Sequence, residues 1–501
     1  MFEEKKGLKN VDLSTVLGAL PFYEQDKDGN PAITSMENDH RLVQEGSIFI
    51  CIKGFTFDGH NAAEEAVQRG AAAIVAERPV HVSVPVIYVP DTKRAMAHLA
   101  ARFYHYPTDS FQLIGITGTN GKTTTSHLID HILRAAGETT GLIGTMYMKI
   151  GDQTIETKNT TPESLTLQKT FSNMKEAGVT AAVMEVSSHA LQEGRTNETA
   201  FNVAVFTNLT QDHLDFHKTM EEYRTAKGLL FARLGNVMHS GSPAFAVLNA
   251  DDAASAVYRS MTAAHIVTYG IDNQADIRAK DIRLTSEGTA FAIDYPGGTV
   301  HIQSKLAGRF NVYNMLAAFA AGFVSNIQPE TIRTALEGVK GVAGRFEVVP
   351  NNQDISVIVD YAHTPDSLIN VLETVRPLTK GRVITIAGCG GDRDKTKRPL
   401  MAQAACQYAD EAIFTSDNPR SEDPQAILKD MEAGVPNERY MVIEDRKEAI
   451  FKAIDMAKPG DAVVIAGKGH ETYQLIGTNV FHFDDRETAR EALLQKEGGQ
   501  S

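Results

Sequence analysis

The order of local patterns between Leu113 and Gly137 constrains the fold more than any other feature of the chain. The apolar run Leu113–Ile116 indicates a buried strand, and Thr117–Thr125 is rich in glycine and threonine. Apolar residues then recur at helical spacing, at Leu128, Ile129, Ile132 and Leu133. A strand, a glycine loop and a helix in this order direct backbone N–H groups and the positive end of a helix dipole at an anion.

The side chains of this loop indicate which anion it binds. Lys122 is expected to reach the terminal phosphates of a nucleoside triphosphate, and the Thr123 hydroxyl is expected to ligate Mg²⁺. Ile116 departs from the strict motif, which has glycine or alanine there. A glycine-rich turn that binds nothing is the alternative, but the flanking strand and helix favour a protein that uses ATP or GTP.

Length, charge and cysteine usage exclude several classes of protein. The 501 residues exceed one ordinary core, so two to four domains are expected. The net charge of −14 argues against nucleic acid as a partner. The three cysteines show no disulfide or metal spacing. Because no apolar targeting core or bilayer-length apolar stretch is evident, we expect no membrane insertion and a cytoplasmic location. We expect a monomer, because no long apolar helix or exposed strand pattern demands a partner.

Alternating apolar runs and helical stretches predict an α/β protein of three domains. Residues 1–108 form the first, an α/β domain with strands at Ser47–Ile52, Ala73–Ala76 and Val86–Val89 and a helix over Asn61–Gly70. Residues 109–340 form a doubly wound parallel sheet that carries the phosphate loop, with an antiparallel hairpin over Ala279–Leu306. Residues 341–501 form a Rossmann-like domain.

Four apolar runs in the last third of the chain each end in polar, often glycine-rich sequence. They are Val357–Val359, Val383–Ala387, Ala412–Phe414 and Ala462–Ala466. In an open α/β sheet, ligands collect beyond the carboxyl ends of the strands. We therefore expect the four loops to converge on one site.

Two residues after strands of the central region are candidates for metal binding. Glu185 ends an apolar run, and His213 follows another. Hard oxygen ligands near a phosphate loop suit Mg²⁺. The alternative is that Glu185 forms a salt bridge to a loop and His213 caps a helix.

Five motifs occur in the order seen in the Mur ligase family, the cytoplasmic enzymes that add amino acids to the peptidoglycan precursor. They are Thr117–Thr123, Glu185–His189, Asn208–Asp215, Gly308–Asn314 and Gly344–Glu347. The chain resembles the family from near Asn30 to near Arg490. Within it, the chain is similar to ligases that add a diamino acid to UDP-N-acetylmuramoyl-L-alanyl-D-glutamate, and Asp417–Arg420 matches the form that selects meso-2,6-diaminopimelate.

The resemblance implies an ATP-dependent peptide synthase that works through an acyl phosphate. A carboxylate is a poor electrophile, so ATP must activate it, and phosphoryl transfer relies on positioning and charge neutralisation. The implied catalytic residues are Lys122, Lys227, His213 and Arg345. The implied ATP contacts are Gly118, Thr119, Asn120, Gly121, Lys122, Thr123, Thr124, Asn311 and Asn314. The implied ligands of Mg²⁺ are Thr123, Glu185, His213 and a carbamylated Lys227 (N6-carboxylysine).

Without the resemblance, Lys227 would be read as a solvated helix charge, and Asn311 and Asn314 as helix caps. For the UDP substrate, the resemblance implies contacts from Asn38, His40, Phe55, Thr56, Phe57, Asn159, Thr160, Thr161, Ser187, Glu193 and Arg195. Two of these depart from the family pattern: His40 replaces a serine, and Glu193 replaces a glutamine.

The implied diaminopimelate pocket contains Arg393, Asp417, Asn418, Pro419, Arg420, Gly467 and Glu471. A guanidinium matches a carboxylate in two hydrogen bonds, so Arg420 is the residue expected to distinguish diaminopimelate from lysine. Three alternatives stay open from the sequence. They are a folylpolyglutamate-type ligase, a lysine-adding relative, and a nucleotide-dependent switch or transport ATPase.

Overall fold

The computed structural model describes residues 11–54, 57–157, 159–236, 243–285 and 288–498. The chain divides into two compact units. The first comprises Met1–Gly115, Glu138–Asn202 and Asn236–Ala244, and the second comprises Ile116–Gly137, Val203–Gly235 and Phe245–Ser501. The strand Gln112–Thr117 carries the chain from the first unit into the second. Among the described residues, no helix is both long enough and apolar enough to cross a bilayer.

The first unit contains a mostly parallel five-stranded sheet, in the order Glu24–Gln25, Val86–Tyr88, Ala71–Ala76, Ser47–Ile50 and Ser35–Glu37. Val11–Asp12 pairs with Ala32–Ile33. A further four strands lie in the order Gln153–Ile155, Met148–Ile150, Thr140–Ile143 and Ala181–Glu185. The α-helices are Leu13–Leu17, Ala63–Gln68, Thr92–Phe103, Ser164–Glu176 and Ser188–Gln192. Short 3₁₀ turns span His40–Leu42, Gly59–Ala62 and Pro107–Ser110.

The strands predicted in this unit are present, but their ends differ by one to two residues. The strand at Ser47 ends at Ile50, the next begins at Ala71, and the third ends at Tyr88. The predicted helix over Asn61–Gly70 is shorter, because its first turn is 3₁₀ and Gly70 adopts a φ of +108°. Apolar runs reveal that an element exists, whereas hydrogen bonding to neighbours sets where it ends.

The second unit holds two sheets. In the first, Val203–Phe206, Phe245–Asn249, His265–Gly270 and Ile277–Thr285 are parallel, and Gly288–Tyr295 and Gly298–Ser304 continue the sheet antiparallel. The predicted hairpin is thus confirmed, and Ile277–Thr285 adds a third strand to it. The helices of this part are Lys122–Ala135, Leu214–His217, Met220–Ala232, Ala254–Met261, Arg309–Val324 and Pro329–Gly338.

The other sheet has the order Glu347–Val348, Ser356–Asp360, Ala462–Ala466, Val383–Ala387, Glu411–Phe414 and Met441–Val442, and all but the first strand are parallel. Apolar clusters cover both faces. One face packs against Pro365–Val375, Lys397–Tyr408 and Pro424–Glu432, and the other against Arg446–Met456 and Asp485–Gly498. Arg376–Leu378 is a 3₁₀ turn, and Tyr473–Ile476 pairs with Asn479–His482 in a hairpin. The four predicted strands are parallel neighbours, so the loops after them share one edge, as expected.

Candidate active site

The phosphate loop begins the helix Lys122–Ala135 in the second unit, and its shape requires glycine. Gly118 and Gly121 have φ values of +151° and +85°. A Cβ atom at Gly118 would overlap the Thr207 hydroxyl, and one at Gly121 would overlap the Asn314 amide oxygen. The Lys122 ammonium donates to the carbonyls of Gly118 (2.9 Å) and Thr119 (2.8 Å). The loop therefore holds its lysine at the N-terminus of the helix, where a phosphate would bind.

Lys227 is buried and contacts the same loop. Its ammonium donates to the Gly118 carbonyl at 2.8 Å and lies 4.3 Å from the centroid of the Tyr223 ring. Burial, together with the nearby Lys122 charge, lowers the pKa of Lys227 well below its usual value. The interpretation of Lys227 as a solvated helix charge was wrong, because this face of Met220–Ala232 packs inward with Tyr223 and Ala226.

A buried carboxylate, Asp212, lies between residues that are far apart in the sequence. Its oxygens are 3.3 Å from His213 Nε2, 3.5 Å from Lys397 Nζ and 3.7 Å from His363 Nε2. Burial alone would raise the pKa of Asp212, but these neighbours hold it well below its usual value. Asp212 and His213 lie within the motif Asn208–Asp215, but nothing in the sequence indicated that Lys397 or His363 would contact them.

A cavity of about 560 Å³ opens beside the loop and is lined by 24 residues, among them Asn120, Gly121, Thr124, Asn314, Arg345 and Asp366. Asn314 lines it, whereas Asn311 is buried, donates to the Ala307 carbonyl at 2.8 Å and accepts from Asn314 at 3.1 Å. Asp366 accepts from the Asn120 amide at 2.9 Å. Burial raises the pKa of Asp366. The sequence did not single out this carboxylate.

Arg345 lies at the phosphate loop as its motif implied. Its Nη2 donates to the Thr123 hydroxyl at 3.0 Å, and its guanidinium carbon lies 4.5 Å from the centroid of the Tyr361 ring. Its neighbours Gly344 and Phe346 have φ values of +64° and +48°. A Cβ atom at Gly344 would overlap the backbone nitrogen of His470, so only glycine fits at this position.

In the first unit, Glu185 is fully buried with its carboxylate held by Thr145. It accepts from the Thr145 amide and from the Thr145 hydroxyl, both at 3.0 Å. Thr160 contacts that hydroxyl at 3.0 Å, and Thr161 donates to the Glu185 carbonyl at 2.9 Å. Among the described residues, no three His, Cys, Asp or Glu side chains come together as a metal site.

Arg195 is held by two carboxylates. It lies 3.0 Å from Glu163 and 2.6 Å from Glu193, and it donates to the Thr161 carbonyl at 3.0 Å. Glu193 also pairs with Lys93 at 3.3 Å, and although burial raises its pKa, the charges of Arg195 and Lys93 lower it overall. Glu193 therefore acts as an anchor for Arg195 in this structure.

The remaining residues implied for the UDP substrate lie in the same unit. The His40 ring stacks on Phe57 with centroids 5.5 Å apart, and the Ser187 hydroxyl caps the helix Ser188–Gln192. Asn38 is half-buried and Asn159 is exposed. Phe55 and Thr56 lie outside the described residues.

Two arginines lie close together beyond the carboxyl ends of the C-terminal strands. Arg420 has a φ of +51° and donates from Nη1 to the Gly391 carbonyl at 2.8 Å. Arg393 donates to the Asp392 carbonyl at 2.9 Å, and burial and the Arg420 charge lower its pKa. Within the described part of the chain, neither guanidinium forms an ion pair. The pair can therefore accept a carboxylate from a ligand.

A second group of residues lies at the same edge of the C-terminal sheet and comprises Asp417, Asn418, Gly467, Lys468 and Glu471. The Asn418 amide donates to Glu471 at 2.9 Å, and Lys468 donates to both Asn418 (3.0 Å) and Glu471 (3.1 Å). Burial raises the pKa of Asp417, but the charges of Lys468 and Arg446 hold it below its usual value. A Cβ atom at Gly467 would contact Asp417.

The hairpin Tyr473–Ile476 joins the two groups. Burial and the Glu471 charge raise the pKa of its Tyr473, and the Arg420 charge opposes them. The hairpin that carries Tyr473 is bonded to Arg420, whose amide donates to the Leu475 carbonyl at 3.0 Å. The hairpin thus links the Arg420 loop to the group of Asn418, Lys468 and Glu471, because Leu475 is hydrogen-bonded to both Arg420 and Asn418.

Comparison with known proteins identifies the family. Three models match: the Mur ligase family catalytic domain over residues 32–104, the Mur ligase middle domain over 116–322, and the Mur ligase glutamate ligase domain over 344–469. The chain is 59% identical over 483 residues to the UDP-N-acetylmuramoyl-L-alanyl-D-glutamate–2,6-diaminopimelate ligase of Bacillus cereus, with 96% of this chain and 98% of the relative covered. The chain belongs to the Mur ligase family.

Two further relatives support the same assignment. The ligase of that name from Halalkalibacterium halodurans is 57% identical over 97% of this chain and 99% of its own length. A solved structure of such a ligase matches with a TM-score of 0.68 and 33% identity, covering 98% of this chain and 100% of that one. The three-domain α/β fold predicted from the sequence is thereby confirmed.

Proposed function

We propose that this Mur ligase joins meso-2,6-diaminopimelate to UDP-N-acetylmuramoyl-L-alanyl-D-glutamate at the expense of ATP, in peptidoglycan precursor synthesis. The observation that carries the proposal is that Arg393, Arg420 and Glu471 lie on loops at one edge of the C-terminal sheet, where Leu475 is bonded both to Arg420 and to Asn418, the partner of Glu471. The names of the relatives at 57–59% identity support the same substrate pair.

The reaction activates a carboxylate of the UDP-peptide. The γ-phosphoryl group of ATP moves to that carboxylate, ADP leaves, and the amine of diaminopimelate attacks the acyl phosphate through a tetrahedral intermediate that expels phosphate. Lys122 and Arg345 supply positive charge at the phosphate loop, where phosphoryl transfer depends on it. Gly118, Thr119, Asn120, Gly121, Thr123 and Thr124 bind the phosphates, while Asn314, supported by Asn311, faces the cavity for the nucleoside.

We propose Mg²⁺ as the cofactor, with Thr123, His213 and a carbamylated Lys227 as ligands in the second unit. The donor set fits the ion. Lys227 is buried beside the loop with a lowered pKa, which favours the neutral amine that CO₂ requires, and the carbamate would supply oxygen ligands. Bound Mg²⁺ would neutralise phosphate charge. Glu185 stays a predicted ligand on the resemblance alone.

The first unit is proposed to bind the UDP-peptide. Arg195 offers a guanidinium whose orientation is fixed by Glu163 and Glu193. Asn38, His40, Phe57, Asn159, Thr160, Thr161 and Ser187 are the other proposed contacts, and Phe55 and Thr56 stay predictions. The His40–Phe57 ring pair offers an aromatic surface in place of the hydroxyl that the family carries. The boundaries at residues 108 and 340, the monomeric state and the cytoplasmic location also stay predictions.

The two distal charged groups of diaminopimelate are proposed to bind different residues of the pocket. The distal carboxylate of diaminopimelate would bind Arg420 and Arg393, and its distal ammonium would bind Glu471 and the Gly467 carbonyl, with Asp417, Asn418 and Pro419 completing the pocket. Lysine would leave two guanidiniums in a partly desolvated site without an anion. Discrimination against a substrate that lacks a required polar partner reaches about 10⁴-fold.

The deciding experiment measures phosphate release from ATP with UDP-N-acetylmuramoyl-L-alanyl-D-glutamate and either meso-diaminopimelate or L-lysine. Turnover with diaminopimelate alone is expected. Turnover with lysine would contradict the role of Arg420, and absence of turnover with both amino acids would contradict the proposed function itself.

A further inference from the structure

A buried lysine supports the amino-acid pocket without lining it. The Lys468 side chain has no exposed surface, and its ammonium lies 3.0 Å from Asn418 Oδ1 and 3.1 Å from Glu471 Oε2. It also lies 5.4 Å from the centroid of the Tyr473 ring. Burying an ammonium is costly unless it is paired and hydrogen-bonded. The two hydrogen-bond partners of this ammonium, Asn418 and Glu471, are both proposed to bind the substrate.

Lys468 fixes which way the Asn418 amide points. Asn418 Oδ1 accepts from Lys468 and from the Leu475 backbone amide at 2.9 Å. With two donors on the oxygen, the amide nitrogen must turn to the other side, where it donates to Glu471 Oε2 at 2.9 Å. A flipped amide would place Nδ2 against two donors and Oδ1 against the Glu471 carboxylate, so all three partners favour the same orientation.

Lys468 also fixes which oxygen of Glu471 is engaged. Oε2 receives hydrogen bonds from both Lys468 and Asn418. Among the residues that the structure describes, the one hydrogen bond to Oε1 is a long one of 3.5 Å from the Tyr361 hydroxyl. The second oxygen is therefore the one directed towards a cationic ligand.

We propose that Lys468 is a positioning residue that sets the diamino-acid specificity of the pocket through Asn418 and Glu471. Its charge also offsets the buried Asp417 carboxylate, so that Glu471 is not repelled from the site. This inference rests on the proposed function, because it assigns the support of the proposed diaminopimelate site. Without the ammonium, Asn418 Oδ1 keeps only the Leu475 donor and Glu471 Oε2 keeps only the Asn418 donor. Both side chains are then held less firmly, and Glu471 is drawn towards the arginines that should bind the substrate carboxylate.

The test is steady-state kinetics of the full-length protein carrying Lys468→Met. Because one hydrogen-bonded charge is removed from the pocket, the KM for diaminopimelate is expected to rise about 10- to 100-fold. The KM for ATP is expected to stay within about threefold, since the contacts of the Lys468 ammonium among the described residues are to Asn418, Glu471 and Tyr473. Lys447→Met is the matched control, because Lys447 is half-exposed in the same unit and pairs with Glu491 at the surface.

A double-mutant cycle with Asn418→Ala separates positioning from general support of the fold. If Lys468 acts through Asn418, the effect of Lys468→Met on the KM for diaminopimelate shrinks in the Asn418→Ala background. Additive effects, or equal rises in both KM values, would overturn the proposal. Lys468→Gln, which keeps a donor without the charge, replaces the methionine variant if that variant fails to bind ADP. Failure of both to fold would assign Lys468 to stability alone and overturn the proposal.

The wild-type protein separates this inference from the function on which it rests. Inactivity of the wild type with diaminopimelate refutes the proposed function. An active wild type with unchanged kinetics in Lys468→Met refutes only the role of Lys468.

Discussion

Arg420→Lys changes the head group of one residue and leaves its backbone as it is. Arg420 has a φ of +51°, and lysine carries the same Cβ atom, so the local strain does not change. The guanidinium uses Nη1 on the Gly391 carbonyl at 2.8 Å, which leaves its other nitrogens for a carboxylate. A lysine has one nitrogen for both contacts and cannot present a planar fork.

The size of the effect follows from the lost hydrogen bond. A hydrogen bond to a charged group contributes about 1.5–3 kcal/mol. The loss of one of the two bonds to the carboxylate therefore lowers kcat/KM for diaminopimelate by about 10- to 150-fold. The hydrogen bonds of the Arg420 guanidinium among the described residues are to the Gly391 and Asn418 carbonyls, so the KM for ATP is expected to change by less than about twofold.

The assay is phosphate release at saturating UDP-peptide, with diaminopimelate and ATP titrated separately for wild type and variant. A thermal melt checks that the two proteins are equally folded. An equal loss for both substrates would show that Arg420 supports the fold, and unchanged kinetics would show that it does not contact the carboxylate. Either result refutes the assigned role.

Three further predictions concern the loop, the buried lysine and pH. Gly121→Ala should weaken ADP binding at least about tenfold, because a Cβ atom would overlap Asn314, whereas Gly137→Ala, with a φ of +91° and no atom within 4 Å, should leave ADP binding unchanged. Lys227→Ala should lose most activity and recover part of it in millimolar short carboxylates that replace the carbamate, as phosphate release will show. Burial and nearby cations lower the pKa of His470 to about 3. His470 therefore stays neutral when folded, and protonation of the unfolded chain should cost about 1 kcal/mol of stability between pH 7.5 and 5.5.

The direction of the pH effect follows from proton binding. Between pH 6.5 and about 3 the unfolded state binds the His470 proton and the folded state does not, so stability falls as pH falls through this window. The drop in thermal midpoint from pH 7.5 to 5.5 should be smaller in His470→Gln, and an equal drop would exclude this residue as the cause. For the loop pair, equal loss of ADP binding in both alanine variants would show that backbone strain is responsible. For Lys227, absence of rescue at every carboxylate concentration would contradict the carbamate.

The sequence predicted secondary structure correctly wherever one short segment contains the whole pattern. The run Leu113–Ile116, the loop after it and the helical spacing to Leu133 predicted the strand, the turn and the buried helix face, all of which the structure has. The four apolar runs of the C-terminal region predicted four strands for the same reason, and the structure has all four. Hydrophobic periodicity is a pattern among residues that are close in sequence, so the helix or strand that it indicates can be predicted without knowledge of the tertiary structure.

Pairings between distant segments could not be read in this way. Asp212 meets His363 and Lys397, which are 151 and 185 residues further along the chain. Without the family resemblance, the sequence predicted that Lys227 is a solvated charge, but the fold buries it against the phosphate loop. The environment of a charge is set by segments that pack over it, and that packing is a property of the whole chain.

The sequence by itself determined the α/β class, the phosphate loop and the family, because glycine positions and apolar spacing are local constraints that motifs record. Only the tertiary structure decided how the amino-acid pocket is supported. It buries Lys468 beneath Asn418 and Glu471 and orients Arg195 between Glu163 and Glu193. A buried charge takes its orientation from partners that the fold brings within hydrogen-bonding distance, and sequence spacing does not specify those partners.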